Sequence, residues 1–303
     1  MDLDLDKMLA ATRDGQWSVD DFDWSQPIQG AEAMTARERK EAGLSLLFTA
    51  GLERQAAKVF ALNAQFVSDE RAKAIYRIFH DDELRHAEAE VRMARRLGVT
   101  WKQLPLPARW MFKQLEKNFE QQGEDLRGVH ELSSATIVLF ELALDSLLIP
   151  ALKEKSTDPL QSEVFRRIDI DESRHLAMDY WLLDKKGVAY EGRSEQELFR
   201  MHRGRDRTLK EKVVGNYKLV RTLVAFIIGF GTTDMMMPTI REATMKPENM
   251  GKYLRRVRAI TKNAPHAMDV PTYRMGLNGQ QMIMNFMSKL SGKGKFDKEA
   301  YLS

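Results

Sequence analysis

The sequence repeats one pentapeptide, first as Asp82-Glu83-Leu84-Arg85-His86 and again, 89 residues later, as Asp171-Glu172-Ser173-Arg174-His175. Residues three apart on an α-helix lie about 60° apart around its axis and therefore share one face. Each copy thus presents a glutamate oxygen and an imidazole nitrogen to the same point. One such pair alone would be weak evidence, because Glu-x-x-His arises often by chance in a chain rich in helix formers.

Two further glutamates strengthen the pattern. Glu53 precedes Glu83 by 30 residues, and Glu141, a single acid within an apolar run, precedes Glu172 by 31. A straight helix would separate such residues by roughly 45 Å, at about 1.5 Å per residue. A helical hairpin would instead bring them level. The spacings therefore predict a four-helix bundle in which two helices give one Glu each and two give Glu-x-x-His, a ligand set for two metal ions.

With these motifs, the chain resembles the ferritin-like di-iron carboxylate oxidoreductases over roughly residues 53–175. This superfamily includes soluble di-iron monooxygenases, acyl-carrier-protein desaturases, arylamine N-oxygenases and the small subunit of ribonucleotide reductase. The resemblance implies an all-α fold, two Fe ions (Mn or a mixed Mn/Fe pair being alternatives) and O2 as co-substrate. The implied metal ligands are Glu53, Glu83, His86, Glu141, Glu172 and His175.

An aspartate precedes the glutamate of each motif. A metal-bound histidine usually donates its second ring N–H to a carboxylate, which fixes its tautomer and orientation. In the resembled family this pairing crosses between helices. The resemblance therefore implies that Asp171 serves His86 and that Asp82 serves His175.

Other polar residues near the motifs have roles that the sequence leaves open. Arg85 and Arg174 could form ion pairs beside the site. His80 lies one turn before the first motif glutamate, where it could be a ligand, an outer contact of the site or an ordinary packing residue. Asp145 lies one turn after the third glutamate, where it could deliver protons or form a salt bridge.

Two positions differ from particular branches of the resembled superfamily. The reductase subunit has a tyrosine one turn after the first motif histidine, but this chain has Glu90, which cannot form a tyrosyl radical. Monooxygenases and desaturases have a threonine just beyond the third glutamate, where this chain has Leu144 and Asp145. We therefore expect an O2-activating oxidase or oxygenase that hydroxylates, N-oxygenates or desaturates a small organic substrate. The alternatives are a desaturase-like enzyme acting on acyl-carrier protein and a metal-handling protein without an organic substrate.

Composition narrows the chemistry further. The 303 residues include no cysteine, so disulfides, thiolate zinc sites and iron–sulfur clusters are excluded, and any metal must be held by N and O atoms. The first 25 residues are acidic and lack an apolar segment, which predicts no signal peptide and a cytoplasmic protein. The apolar run Leu223–Phe230 is too short to cross a bilayer, so no membrane span is expected.

Charge is distributed unevenly, since residues 201–303 contain 19 Lys and Arg against 8 Asp and Glu in a chain of net charge +3. Patterns typical of nucleic-acid-binding modules are absent, so nucleic acid is not expected as a partner. The basic surface could bind an acidic carrier protein or simply be solvated. Further expected partners are an electron donor (a reductase or ferredoxin) and a second copy in a homodimer. The basic residues considered are Arg203, Arg205, Arg207, Arg255, Arg256 and Arg258.

The remaining features suggest three parts. Residues 1–30 predict a mostly irregular arm that packs through Trp17 and Trp24; residues 31–190 predict the bundle; and residues 191–303 predict a helical extension packed on it. Its methionines could line a pocket for a small apolar or aromatic substrate. The expected bundle helices span about 31–65, from Ser68 to Gly98, about 130–155 with a kink or end at Pro150, and 158 to Gly187. A Ser194 capping box is also expected, as are breaks near Gly231, Pro238, Pro247 and Pro271.

Overall fold

The computed structural model describes residues 3–155, 158–193 and 209–290, and within these ranges it contains helices and no strands. The predicted all-α class is thus confirmed. Short 3-10 turns at Val19–Asp21, Ala31–Ala33, Trp101–Gln103 and Ala267–Asp269 join some of the helices. The helices are α1 (Leu5–Asp14), α2 (Ala36–Phe66), α3 (Glu70–Arg96), α4 (Leu106–Phe119), α5 (Gly123–Ala143), α6 (Ile149–Lys155), α7 (Pro159–Tyr190), α8 (Leu209–Met235), α9 (Pro238–Thr244), α10 (Pro247–Asn263) and α11 (Pro271–Leu290).

Helices α2, α3, α5 and α7 form the bundle, in which α2 packs with α3 as one hairpin and α5 packs with α7 as the other. Thr35 and Glu38 form a capping box at the start of α2, five residues later than expected. The cap of α3 is Asp69 rather than Ser68: its Oδ1 accepts the backbone N–H of Arg71 at 2.9 Å and that of Ala72 at 3.3 Å. An aspartate cap also opposes the positive end of the helix dipole.

The prediction of a mostly irregular N-terminal arm is wrong for residues 5–14, which form helix α1. Asp4 caps this helix by accepting two backbone N–H groups at 3.1 Å. Leu5, Met8 and Leu9 lie on one face and pack against a core cluster of the bundle. Because many aspartates surround this short apolar stripe in the sequence, the composition of the segment does not predict a helix. Beyond α1, Trp17 and Trp24 pack against the bundle.

Pro150 does not end the third bundle helix. A π-helical turn, Leu144–Leu148, joins α5 to α6, and the Ile149 N–H bonds to the Leu144 carbonyl five residues back. Proline lacks a backbone N–H and its ring crowds the preceding turn. The wider π turn relieves that crowding, so the helical segment continues to Lys155. At its other end, α5 begins at residue 123, seven residues before the expected start.

Helix α7 continues past Gly187, where the sequence predicts its end. The glycine serves packing instead: a Cβ atom at this position would overlap the backbone carbonyl of His266. His266 also lies 3.1 Å from Asp184, measured from Nδ1 to Oδ1. The missing side chain of Gly187 therefore lets the chain before α11 lie directly on α7.

Helices α9–α11 pack on the bundle, α11 mainly on α5, whereas α8 packs mainly on α4. One core cluster joins bundle residues to Tyr253, Ile260 and Tyr273 of the later helices. A helix begins at each of Pro238, Pro247 and Pro271, whereas Gly231 lies inside α8 without breaking it. The Ser194 capping box lies outside the described residues. The division into a bundle of residues 31–190 and an extension of residues 191–303 stays a prediction.

One helical stretch, Asp125–Glu154, is long and apolar enough to cross a membrane by length and composition, with a mean hydropathy of 1.9 over its best window. This stretch is longer than the apolar run Leu223–Phe230. However, 72% of that window is buried inside the protein, as in the core helix of a bundle.

Candidate metal centre

The two hairpins bring the six predicted ligand residues together. Glu53 of α2 lies beside the motif of α3, and Glu141 of α5 lies beside the motif of α7. All six side chains are buried inside the bundle. The sequence spacing of 30 and 31 residues is thus the length of half a helix, a short link and half a returning helix. The six residues are Glu53, Glu83, His86, Glu141, Glu172 and His175.

These residues form two adjoining groups, each able to hold one metal ion. Glu53 and His86 belong to one group, Glu141 and His175 belong to the other, and Glu83 and Glu172 belong to both. Within each group the candidate ligand atoms all lie within 4.8 Å of one another. The two shared glutamates therefore lie where carboxylates could bridge two ions.

Both histidines turn Nδ1 towards these carboxylates. His175 Nδ1 lies 2.9 Å from Glu83 Oε1 and 3.7 Å from Glu172 Oε2. His86 Nδ1 lies 3.3 Å from Glu172 Oε1 and 4.0 Å from Glu83 Oε2. Each imidazole thus faces both shared glutamates through the same ring nitrogen.

The other ring nitrogen of each histidine faces an aspartate of the opposite motif. His86 Nε2 lies 2.9 Å from Asp171 Oδ2, and His175 Nε2 lies 3.3 Å from Asp82 Oδ2. A carboxylate in this position accepts the Nε2–H and leaves Nδ1 free to bind a cation. The structure therefore brings together the crossed aspartate–histidine pairs.

The N-terminal arm completes the surroundings of these aspartates. Trp17 Nε1 donates to Asp171 Oδ2 at 2.8 Å, and Gln16 Nε2 donates to Asp82 Oδ1 at 2.9 Å. The Trp17 ring also stacks on His86, with centroids 6.2 Å apart. No motif predicts the hydrogen bond between Trp17 and Asp171, because 154 residues separate them in the sequence.

The two motif arginines hold the same aspartates from the outside. Arg85 donates to Asp82 and also lies 3.7 Å from Asp171, while Arg174 donates to Asp171. Gly15, which ends α1, lies against the Arg174 guanidinium, where an added Cβ would lie 2.7 Å from a guanidinium nitrogen. A larger residue there would push the arm away from the site.

Burial and crowding among the carboxylates perturb their protonation. Burial and the neighbouring glutamates raise the pKa of Glu83 and of Glu141 well above the usual value. Burial also acts on Glu172, but the nearby Glu141 and both histidines outweigh it and keep the pKa of Glu172 well below its usual range. In the metal-free protein, Glu83 and Glu141 therefore favour the protonated form, whereas Glu172 favours the ionised form.

The histidines carry the complementary positive charge. Burial alone would lower the pKa of His86, but Asp171 and Glu172 outweigh it and raise the pKa to about 10. Burial likewise opposes charge on His175, yet Asp82 and Glu172 raise its pKa to about 9. Two imidazolium groups therefore occupy the positions that neutral metal ligands would need.

Unpartnered atoms at the centre fit a pair of cations. Both oxygens of Glu83, Glu141 and Glu172, and Nδ1 of both histidines, form no hydrogen bond with any described residue. Buried polar atoms without partners are costly unless another group, such as a metal ion, binds them. Two divalent ions would balance the four glutamates, and oxygen and imidazole donors suit Fe or Mn.

Two other candidates lie away from these groups. His80 is partly exposed, and its Nδ1 lies 2.8 Å from Asp81 Oδ1. Asp145 lies in the π turn and forms an ion pair with Arg256 of α10. The structure therefore shows the salt-bridge alternative for Asp145 and a local surface contact for His80.

Two acids near the centre escaped the sequence analysis as site residues. Glu90 and Asp179 are buried, and each follows a motif histidine by four residues. The available signal was the repeat itself, which extends in both copies to D-E-x-R-H-x-x-x-acid. The sequence comparison identifies Glu90 merely as the residue that stands in place of a tyrosine. It does not identify Asp179, which has the same offset from the second motif histidine.

Among solved structures, the chain is similar to the dimanganese(II) NrdF of Streptococcus sanguinis, with a TM-score of 0.53 and 12% identity over 90% of this chain and 94% of that one. A mutant R2-like ligand-binding oxidase with an aerobically reconstituted Mn/Fe cofactor gives a TM-score of 0.44 and 12% identity over 89% and 95% of the two chains. No protein-family model and no curated protein matches the sequence. The likeness to NrdF shows that this chain has the ferritin-like fold.

Proposed function

We propose that this protein is a non-haem di-iron oxidoreductase that activates O2 and acts on a small organic substrate. The observation that carries the proposal is the pair of buried ligand groups sharing Glu83 and Glu172, whose carboxylate oxygens form no hydrogen bond with any described residue. An Mn pair or a mixed Mn/Fe pair would suit the same donors.

In this proposal each residue has a defined task. Glu53 and His86 would hold one ion, Glu141 and His175 would hold the other, and Glu83 and Glu172 would contribute to both. The bound metals would supply the electrons for O2 reduction. The aspartates at each Nε2 keep the imidazoles oriented, and the arm residues at those aspartates shield them from water.

A small apolar or aromatic substrate is the class that the surroundings favour. Phe60 and Phe79 contact the His175 ring, with centroids 5.1 and 4.2 Å away. These two phenylalanines are fully buried, so they exclude water from this side of the centre and make its surroundings apolar. Hydroxylation, N-oxygenation and desaturation are all compatible with this centre. Analysis of products from a panel of aromatic amines and hydrocarbons would distinguish them.

The proposal includes partners that the site would need. A reductase or ferredoxin would restore the reduced metals, and a homodimer in the cytoplasm would present the bundle to it. Exposed apolar residues on α8, including Ile227 and Ile228, support a further protein contact. Arg256 gives little support to docking of a carrier protein, because it is engaged with Asp145. Arg203, Arg205 and Arg207 lie outside the described residues.

The test is reconstitution of purified protein with Fe(II) under anaerobic conditions, followed by exposure to O2. We expect two ions per chain, O2 consumption and near-ultraviolet absorption of oxo-bridged ferric ions. A Glu83→Ala, Glu172→Ala double variant should lose all three, whereas the exposed Glu116→Ala should keep them. Fewer than two ions per chain in every preparation would contradict the proposal. Loading far above two, in a cage-like assembly, would indicate iron storage instead.

A further inference from the structure

Two buried acids adjoin the centre without belonging to its ligand groups. The Glu90 side chain lies on α3, four residues after His86, and is 0% exposed. The Asp179 side chain lies on α7, four residues after His175, and is 1% exposed. Neither oxygen of either residue forms a hydrogen bond with any described residue. Burial of two such groups without partners needs a functional explanation.

The two acids lie at opposite ends of the centre. His86 lies level with Asp171, and His175 lies level with Asp82. In the direction in which residue numbers increase along α3, they therefore decrease along α7. The motif helices are therefore antiparallel. A step of four residues beyond each histidine leads about 6 Å along the bundle axis, in opposite directions for the two helices.

The charges around these acids are mainly negative. Burial first, and then the charges of Glu53 and Glu172, raise the pKa of Glu90 well above its usual value. Burial dominates for Asp179 also; His175 opposes the rise and Glu172 adds to it, so its pKa is well above normal. Asp179 further faces Glu141, Tyr76 and Tyr180.

Nearby arginines are already committed to other acids. Arg85 binds Asp82 and Arg174 binds Asp171, both on the arm side of the centre. With two divalent ions balancing the four ligand glutamates, Glu90 and Asp179 would be uncompensated anions if ionised. Their buried carboxyls are therefore neutral while the metals are divalent.

Oxidation of bound metals would change this balance. Loss of one electron from each of two ions would add two positive charges to the centre, which equals the number of buried acids available to ionise. We propose that Glu90 and Asp179 are the internal proton donors for O2 reduction at this centre and that their carboxylates then balance the oxidised metals. This inference rests on the proposed function.

The proposed reaction balances in atoms and charge. Bound metals would supply two electrons to O2. Glu90 and Asp179 would each break an O–H bond and give one proton to an oxygen atom, so that O2, two electrons and two protons would give H2O2. Two carboxylates would remain, and their two negative charges would match the two electrons lost from the metals, with no proton needed from solvent for this reduction.

The isosteric variants Glu90→Gln and Asp179→Asn test this assignment, because an amide can neither release this proton nor become an anion. After loading with Fe(II), rapid mixing with O2 and a pH indicator measures proton uptake from solution. Compared with the parent, each single variant should take up one more proton per centre in the first turnover, and the double variant two more. First-turnover oxidation should also slow by roughly 100-fold, the lower end for loss of a general acid.

A second readout needs neither metal nor turnover. Infrared spectra of the metal-free protein should contain carbonyl bands of protonated carboxyls that Glu90→Gln and Asp179→Asn each reduce. The exposed Glu70→Gln, which removes an acid paired with Lys73 on α3, is the control for both readouts. Thermal melting checks that each variant folds.

Three results would overturn the inference. Proton uptake equal to the parent's in folded, metal-loaded variants would show that other groups donate the protons. Unchanged infrared bands would show that the two acids are ionised. Loss of a metal ion from either variant would identify that residue as a ligand. By contrast, a parent that binds no metal would defeat the proposed function, while the infrared comparison would still report the protonation of the two acids.

Discussion

The indole N–H of Trp17 donates a 2.8 Å hydrogen bond to Asp171, at the same carboxylate oxygen that lies 2.9 Å from His86 Nε2. The N-terminal arm is thus linked to a candidate metal ligand through one shared atom. With the indole in place, Asp171 Oδ2 has two donors and a fixed orientation. The arm is therefore part of the site rather than an appendage of the bundle.

Replacing Trp17 with phenylalanine should weaken metal binding. The change removes one donor to Asp171 but keeps an aromatic ring near His86, so a loss of about tenfold in metal affinity is expected, at the low end for outer partners of metal ligands. Titration with Mn(II) measures this affinity. The control is Trp24→Phe, which removes a 2.8 Å bond to the Val19 carbonyl in the same arm. Equal affinities for the two variants would contradict this role for Trp17.

Glu141→Ala should lower metal occupancy from two ions per chain towards one. Glu141 is the one glutamate that α5 contributes to the ligand groups, and its removal leaves the ion near His175 with excess positive charge. Metal analysis after gel filtration measures the occupancy. His80→Ala is the matched comparison, since His80 contacts Asp81 outside the centre, and it should retain two ions. Full occupancy in Glu141→Ala would remove Glu141 from the ligand set.

The bundle was predictable because a regular spacing encodes it, whereas the arm was not. Helical periodicity and the 30-residue offsets fix which faces of α2, α3, α5 and α7 meet. Nothing local in the sequence encodes contacts such as Gln16 with Asp82, since they depend on where α1 packs. Pro150 shows a different limit: the sequence predicts a disturbance, but packing decides that it takes the form of a π turn.

Metal affinity should increase with pH between about pH 6 and 8. The raised pKa values of His86 (about 10) and His175 (about 9) mean that protons occupy both imidazoles at neutral pH, and binding must release them. Calorimetric titration with Mn(II) in buffers of different ionisation enthalpy counts the released protons. Binding without proton release would show that the imidazoles are already neutral in the metal-free protein.

The stability of the metal-free protein should decrease as pH rises, whereas metal affinity should increase. A histidine whose folded pKa exceeds its unfolded value of about 6.5 stabilises the fold fully below that pH. That contribution disappears as pH rises through about 9 and 10, the values for His175 and His86. Thermal melts of metal-free protein should therefore shift to lower temperature across this range. A His86→Gln, His175→Gln variant should show a smaller shift, and a shift equal to the parent's would exclude these histidines as its cause.

The ion pair between Asp145 and Arg256 should be structural. It joins the π turn to α10, and Arg256 also donates to Ser146 Oγ at 3.0 Å. The two side chains are 17% and 30% exposed, so after allowance for solvent screening the pair stabilises the fold by about 1 kcal/mol. Denaturant unfolding of Asp145→Asn, Arg256→Gln and the double variant measures the coupling. Metal occupancy should stay at two in all three; if Asp145→Asn lowers it, Asp145 acts on the centre.

Gly187→Ala should destabilise the protein although alanine is the better helix former. Gly187 lies inside α7, and an added Cβ would overlap the carbonyl of His266, a backbone atom that cannot rotate away. Overpacking of this kind costs about 1–3 kcal/mol, more than the ~1 kcal/mol gained in helix propensity. The matched control is Gly128→Ala in α5, where no atom lies within 4 Å of the new Cβ among the described residues, so propensity alone should act and stabilise the fold. Opposite signs in denaturant unfolding would support direct packing of the chain before α11 on α7. Stabilisation by both substitutions would show that this contact is absent and that Gly187 is an ordinary helix residue.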